Sequence, residues 1–236
     1  MLNILPSTRP FMKISLMVCT LVCFVPARAD LITNGSFESP VVPVGSFTSF
    51  GSGSTLIPGW TVVGAAGGVA IVNTTFSQEC CTFPAEAGSQ WLDLTGVNTN
   101  SVEGVEQTVA TAAGTQYTLS FWVGNVDDPG GIFGTTSTVD VRVGGLSGTL
   151  LGAFTNSSTE KGTLEWEKFT TSFTATGSST TLDFLNADPG NDNSNGLDNV
   201  SLVAGPTTSA VPEPATLPLL VVGLIGLGLI RRRALS

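Results

Sequence analysis

The sequence predicts an all-β protein whose central part is a jelly-roll β-sandwich. Three observations carry that expectation. Short runs rich in β-branched and aromatic residues recur between clusters of Gly, Ser, Thr, Asn and Pro. Several runs alternate cleanly, as in Tyr117, Leu119, Phe121 and Val123, or Val139, Val141 and Val143. No sustained 3.6-residue periodicity appears before the C-terminal tail, so helices are expected only at the two ends of the chain.

The first element, residues 1–29, reads as an export signal with an upstream extension before Met12. Met12-Lys13 opens an apolar run from Ile14 to Val25, and Ala27-Arg28-Ala29 closes it. Ala27 and Ala29 are the small residues that signal peptidase requires, so cleavage leaves Asp30 as the mature N-terminus. Cys19 and Cys23 follow Val18 and Val22 rather than the small residue of a lipoprotein signal.

The cargo follows at residues 30–205, long enough for one sandwich with a full core. Strands are expected at 59–63, 68–73, 90–95, 102–110 and 116–125, then at 138–143, 149–155, 166–174, 180–186 and 197–203. A linker at 206–214 ends in Val211, Pro212, Glu213 and Pro214. Residues 215–230 carry no charge and would make a helix of roughly 24 Å, short for a hydrocarbon core of about 30 Å. The basic tail, 231–236, begins with Arg231, Arg232 and Arg233, which the positive-inside rule keeps on the cytoplasmic side of a membrane.

Composition excludes several chemistries. Between Asp30 and Pro214 only Arg142, Lys161 and Lys168 offset all 18 acidic residues, a net charge of −15. Such a surface repels phosphate backbones, so nucleic acid is excluded as a partner, while calcium and neutral polymers are compatible. With no histidine in the chain, Ser-His-Asp and Cys-His nucleophile systems are absent, as is histidine-ligated zinc. The cargo cysteines, Cys80 and Cys81, are adjacent, which leaves open a vicinal disulfide, free thiols or intermolecular bridges. The segment 188–199 is rich in Asp and Asn but is no EF-hand, because Asn193 stands where the loop needs Gly and no Glu closes it.

Four tryptophans bear on binding. Trp60 and Trp166 are expected in the core. Trp122 shares a strand face with Thr118 and Ser120, and Trp91 shares one with Asp93 and Thr95. Rings on otherwise polar faces can stack on sugars, with Asp93 or Gln90 bonding hydroxyls; the alternative is that a loop or second sheet covers them. Asp198 has the parity of Val200 and Leu202, so its carboxylate is expected on the core side, where it needs a metal or several backbone donors. Glu165 and Glu167, roughly 6.6 Å apart along one face, are the best carboxylate pair for a hydrolase, and a solvated edge is their plainer reading.

Two family resemblances add to this. Val-Pro-Glu-Pro, an apolar helix with glycines and a terminal arginine cluster resemble the PEP-CTERM sorting signal of Gram-negative bacteria. That resemblance implies recognition by exosortase, a membrane protease-transpeptidase, then delivery to the cell surface or extracellular matrix. The second rests on six pieces in order: Asn34-Gly35-Ser36-Phe37-Glu38, Ile57-Pro58-Gly59-Trp60 and Gln90-Trp91-Leu92-Asp93-Leu94, followed by Val105-Glu106-Gln107-Thr108, Tyr117-Thr118-Leu119-Ser120-Phe121 and Leu197-Asp198-Asn199-Val200-Ser201-Leu202. Together they resemble the galactose-binding-domain-like sandwiches, and among them the family of unknown function shared by plant cell-wall proteins and bacterial "choice-of-anchor" surface proteins. This resemblance implies a jelly roll, attachment to extracellular polysaccharide and no catalysis. By the same resemblance one structural calcium is expected, with Glu38 and Asp198 as ligands.

The leading expectation is therefore a non-enzymatic, exosortase-sorted surface protein that binds polysaccharide through Trp91, Asp93 and Trp122. A structural or adhesive protein with protein partners is the alternative, and a carbohydrate-active hydrolase the remote one.

Overall fold

The structure, a computed structural model, describes residues 28–64, 67–96, 102–189 and 194–205. The expected signal and membrane helices, the linker, Ala27, Val211 to Pro214 and Arg231 to Arg233 lie outside them; Ala29 is exposed. Thirteen strands and no helix are found among the described residues: β1 (Phe47–Phe50), β2 (Thr61–Gly64), β3 (Val69–Asn73), β4 (Ser77–Gln78), β5 (Cys81–Thr82), β6 (Gln90–Asp93) and β7 (Glu103–Ala110), then β8 (Gln116–Asn125), β9 (Ser137–Val143), β10 (Thr149–Asn156), β11 (Glu165–Thr174), β12 (Ser179–Asn186) and β13 (Gly196–Ala204).

They form the expected all-β sandwich. One sheet has the order β1-β3-β6-β13-β8-β11, the other β10-β9-β12-β7-β2, and every strand pair is antiparallel. All ten expected strands are present, with ends shifted by at most two residues. The pattern missed β1, which is short and flanked by Gly45 and Gly51, and the two-residue strands β4 and β5, which form a separate hairpin.

Alternation explains the core. Leu119, Phe121 and Val123 of β8 point inward against Leu182 and Phe184 of β12 and Val139 and Val141 of β9, all without exposed surface. Trp60 joins them, its ring 5.3 Å from Phe37 and 5.9 Å from Phe184. Burying one such side chain stabilises the fold by about 1.5–3 kcal/mol.

The shared sequence pieces turn out to fasten the N-terminal segment to this sandwich. Trp60 donates its indole N–H to Asn34 O (3.0 Å), and Gln107 brackets Thr33, accepting from its N–H (2.8 Å) and donating to its carbonyl (3.0 Å). Gln90 donates to Phe37 O and Pro40 O and accepts from Val42 N–H. Gly35 packs so closely on Val200 that a Cβ there would lie 2.0 Å from its carbonyl oxygen. Asp30 accepts from Leu202 N–H (2.9 Å), which pins the start of the cargo to β13.

Two parity expectations are corrected. A β-bulge between Asp198 and Ser201, with Asn199 at φ 47°, shifts the alternation of β13 by one residue. Leu197 and Val200 face the core, whereas Asp198 pairs with Trp122 on the outer side of the six-stranded sheet. Trp166 is likewise outside the main core, because it alternates with Phe169 and Phe173 rather than sharing their face. Its ring lies over Gly124 and Gly196, where added Cβ atoms would come within 2.9 and 2.8 Å of it.

Candidate functional site

The outer face of the six-stranded sheet carries a second hydrophobic cluster. Ala70 and Val72 of β3 and Trp91 of β6 form its floor, covered by Cys81 and Phe83 from the β4–β5 region and by Val126, Phe133 and Leu164 from longer connections. This face was expected to be polar and open around Trp91. The structure corrects that reading: the loop alternative holds, and Trp91 is 2% exposed, with its indole N–H donated to Phe83 O at 3.0 Å.

The cover leaves a cavity of about 400 Å³. Its floor is Ala70, Val72, Trp91 and Asp93. Gln78 of the hairpin and Phe76 and Phe83 on its flanks line it together with Phe47 of the edge strand β1, Ile132, Phe133, Ser194 and Gly96. The rings brace one another: Phe83 meets Phe133 edge-on at 5.0 Å and Phe47 meets Phe76 edge-on at 5.4 Å, while Phe83 stacks on Trp91 at 6.3 Å. Phe47, Gln78 and Ile132 remain solvent-exposed and make the rim.

Asp93 is the acidic group of this cavity. Its Oδ1 accepts from the backbone N–H (3.0 Å) and the hydroxyl (2.7 Å) of Thr95, a local turn that holds the carboxyl in the wall. Burial raises its pKa to about 7, against the pull of those hydrogen bonds. Glu103 behind it is pushed up to about 7 by burial and by the charge of Asp93, with Gly68 N–H bonded to Oε2 at 2.5 Å. Near neutral pH Asp93 can thus both donate and accept a hydrogen bond.

Of the expected binding set, Trp91 and Asp93 come together in this cavity and Trp122 does not. Trp122 is half-buried two strands away, with Lys168 Nζ 5.8 Å from its ring centroid. Asp198 and the loop it holds lie between them. The Asp198 carboxylate has no exposed surface and accepts from the backbone N–H groups of Glu86 (3.0 Å), Ala87 (3.1 Å) and Asn199 (2.7 Å). Glu38 accepts from Ser89 and Gln90 N–H at 2.8 and 2.9 Å. Both carboxylates therefore anchor the segment 86–90, each at its own amides. Among the described residues no three acidic or cysteine side chains come close enough to hold a metal ion.

Cys80 and Cys81 are joined as a vicinal disulfide at the turn between β4 and β5, one of the alternatives left open by their spacing. Glu165 and Glu167 are exposed on the edge strand β11 and are not among the residues that line this cavity. The aromatic walls Phe47, Phe76, Phe83 and Phe133 escaped the sequence reading, because each lies in a very short strand or a connection. The one usable signal was the pair Phe76 and Phe83 flanking adjacent cysteines.

The fold is similar to that of several solved structures. A cyclase from Fischerella sp. TAU, in complex with 4-(1H-indol-3-yl)butan-2-one, is 22% identical, with 77% of this chain and all of that one covered at a TM-score of 0.55. A family 16 carbohydrate-binding module is 20% identical over 73% of this chain and 99% of its own, at 0.41. A xylan-binding domain from Paenibacillus barcinonensis is 20% identical over 71% and 100%, at 0.39. The cyclase likeness bears on the fold and not on its chemistry. No curated protein matches the chain. Residues 210–233 match the PEP-CTERM protein-sorting motif, which spans Val211 to Pro214 and the three arginines and marks an exported protein sorted to the cell envelope or surface. Residues 30–203 match the family model described as protein of unknown function (DUF642), and the chain belongs to that family.

Proposed function

We propose that this protein is a non-catalytic, exosortase-sorted surface or matrix protein whose sandwich binds extracellular polysaccharide in the cavity under the β4–β5 hairpin. The observation that carries the reading is the aromatic cavity with Trp91 and Asp93 on its floor and Gln78 at its rim. Aromatic faces favour the C–H faces of pyranose rings, and a few fixed polar groups orient the hydroxyls. The cavity volume, about 400 Å³, falls at the low end of small-molecule sites. The strong negative charge of the cargo favours a neutral polymer over an acidic one. Signal peptidase, exosortase and a transient anchor in the inner membrane complete the export route.

Glycan pull-down tests the site. Phe47→Ala at the rim is expected to weaken retention on polysaccharide by about tenfold, the equivalent of 1.4 kcal/mol, while Trp122→Ala leaves it unchanged. Loss with Trp122→Ala and retention with Phe47→Ala would move the site to the open part of the sheet. Retention on no glycan would favour the adhesive reading with protein partners.

A further inference from the structure

The cavity is a dead end, and this bears on which part of a polysaccharide it can hold. Its floor spans only two neighbouring strands, β3 and β6, of a six-stranded sheet. A polymer crossing the sheet from there would next meet β13 and β8, but that path is filled. Trp166 lies across Gly124 and Gly196, its indole N–H bonded to Pro84 O at 2.9 Å, and its ring meets the Trp91 ring edge-on at 5.8 Å. Beside it the segment 86–87 is tied by two amides to the buried Asp198. In the opposite direction the Phe47 and Phe76 rings meet at the sheet edge.

We infer that the cavity captures a single terminal sugar residue, at a chain end or the tip of a side branch, and excludes internal segments of the polymer. The inference rests on the polysaccharide-binding reading above and sharpens it. Two features of the wall fit one ring rather than a row of them. Among the described residues the acidic group that lines the cavity is Asp93, and Thr95 fixes its carboxyl in one orientation. Among the described residues the polar side chains of Gln78 and Ser194 also line the cavity. An extended binder would instead repeat its stacking rings along a groove open at both ends.

The test uses the full chain and polysaccharide purified from the producing cells. Partial hydrolysis of that polymer yields size-fractionated oligosaccharides, which compete for retention on the intact polymer. For terminal capture, monomer and dimer fractions compete within about threefold of hexamers, because units beyond the first gain few contacts. Competition that strengthens more than about tenfold from dimer to hexamer overturns terminal capture and leaves polysaccharide binding intact. If neither the intact polymer nor any fraction is retained, both readings fall. Phe47→Ala, at a rim position outside the core, is expected to weaken competition by every fraction alike; a loss confined to hexamers would again overturn the inference.

Discussion

Asp198 shows how a single carboxylate organises the cover of the cavity. Three amide N–H groups converge on it, two of them from the segment 86–87 that crosses the outer face of the sheet. Removing the acceptor leaves those donors buried or forces the segment to open, and each unmet buried donor costs about 1–3 kcal/mol. Asp198→Ala is therefore expected to destabilise the fold by about 2–3 kcal/mol in denaturant titration, and Asp198→Asn, which keeps one oxygen acceptor, by about half of that. An unchanged midpoint for the alanine variant would show that the segment is held elsewhere. Because amides already serve both Glu38 and Asp198, the same titrations in calcium and in EDTA are expected to coincide; a midpoint raised by calcium would restore the metal reading. Strand parity placed Asp198 on the wrong face, and the reason is local. Asn199 adopts φ 47° in a bulge, a backbone choice that leaves alternation intact on either side of it and is invisible to a period-two count.

At the scale of elements, the outer face works through size complementarity between β11 and its neighbours. Gly124 of β8 and Gly196 of β13 sit directly opposite each other and leave the floor on which the Trp166 ring lies. Gly196→Ala would place a Cβ 2.8 Å from that ring and 3.0 Å from the Gly124 Cα, so Trp166 must move away from Trp91 and Pro84. Overpacking of this kind costs about 1–3 kcal/mol. We expect that loss of stability together with a shift of the tryptophan emission towards that of exposed indole; unchanged emission would mean that the ring is not seated as described. The long alternating strands of both sheets were legible because burial on one face writes a period of two into the sequence. The hairpin β4–β5 and strand β1 were not: β4 and β5 have two residues each, too few to show a period, and β1 is an edge strand whose first three side chains are exposed. For that reason Trp91 and Asp93 could be singled out from sequence, while the phenylalanines that turn them into a cavity could not.

The whole molecule couples its charge to its stability. Burial raises the carboxyl groups of Asp93, Glu103 and Asp198 to about 7 and that of Asp183 to about 6. For Asp183, cross-strand neighbour Glu106 adds to the upward push and Arg142 on the other side opposes it. All four groups ionise near pH 4 in the unfolded chain. Between about pH 4 and pH 7 the folded state therefore binds more protons than the unfolded state, and stability falls as pH rises through that window. The four groups sit on both sheets, so their contributions act on one cooperative unit rather than on a single loop. Above pH 7 all four are ionised within a cargo that already carries a strong negative charge, which adds repulsion in the same direction. The melting temperature at fixed ionic strength is thus expected to be highest near pH 5 and to fall by several degrees by pH 8. Asp183→Asn, which removes one of these ionisations, is expected to flatten the fall between pH 5 and pH 7. A melting temperature that rises from pH 5 to pH 8 would mean that these carboxyls are ionised in the folded state at acid pH and that bound cations or amides compensate their burial.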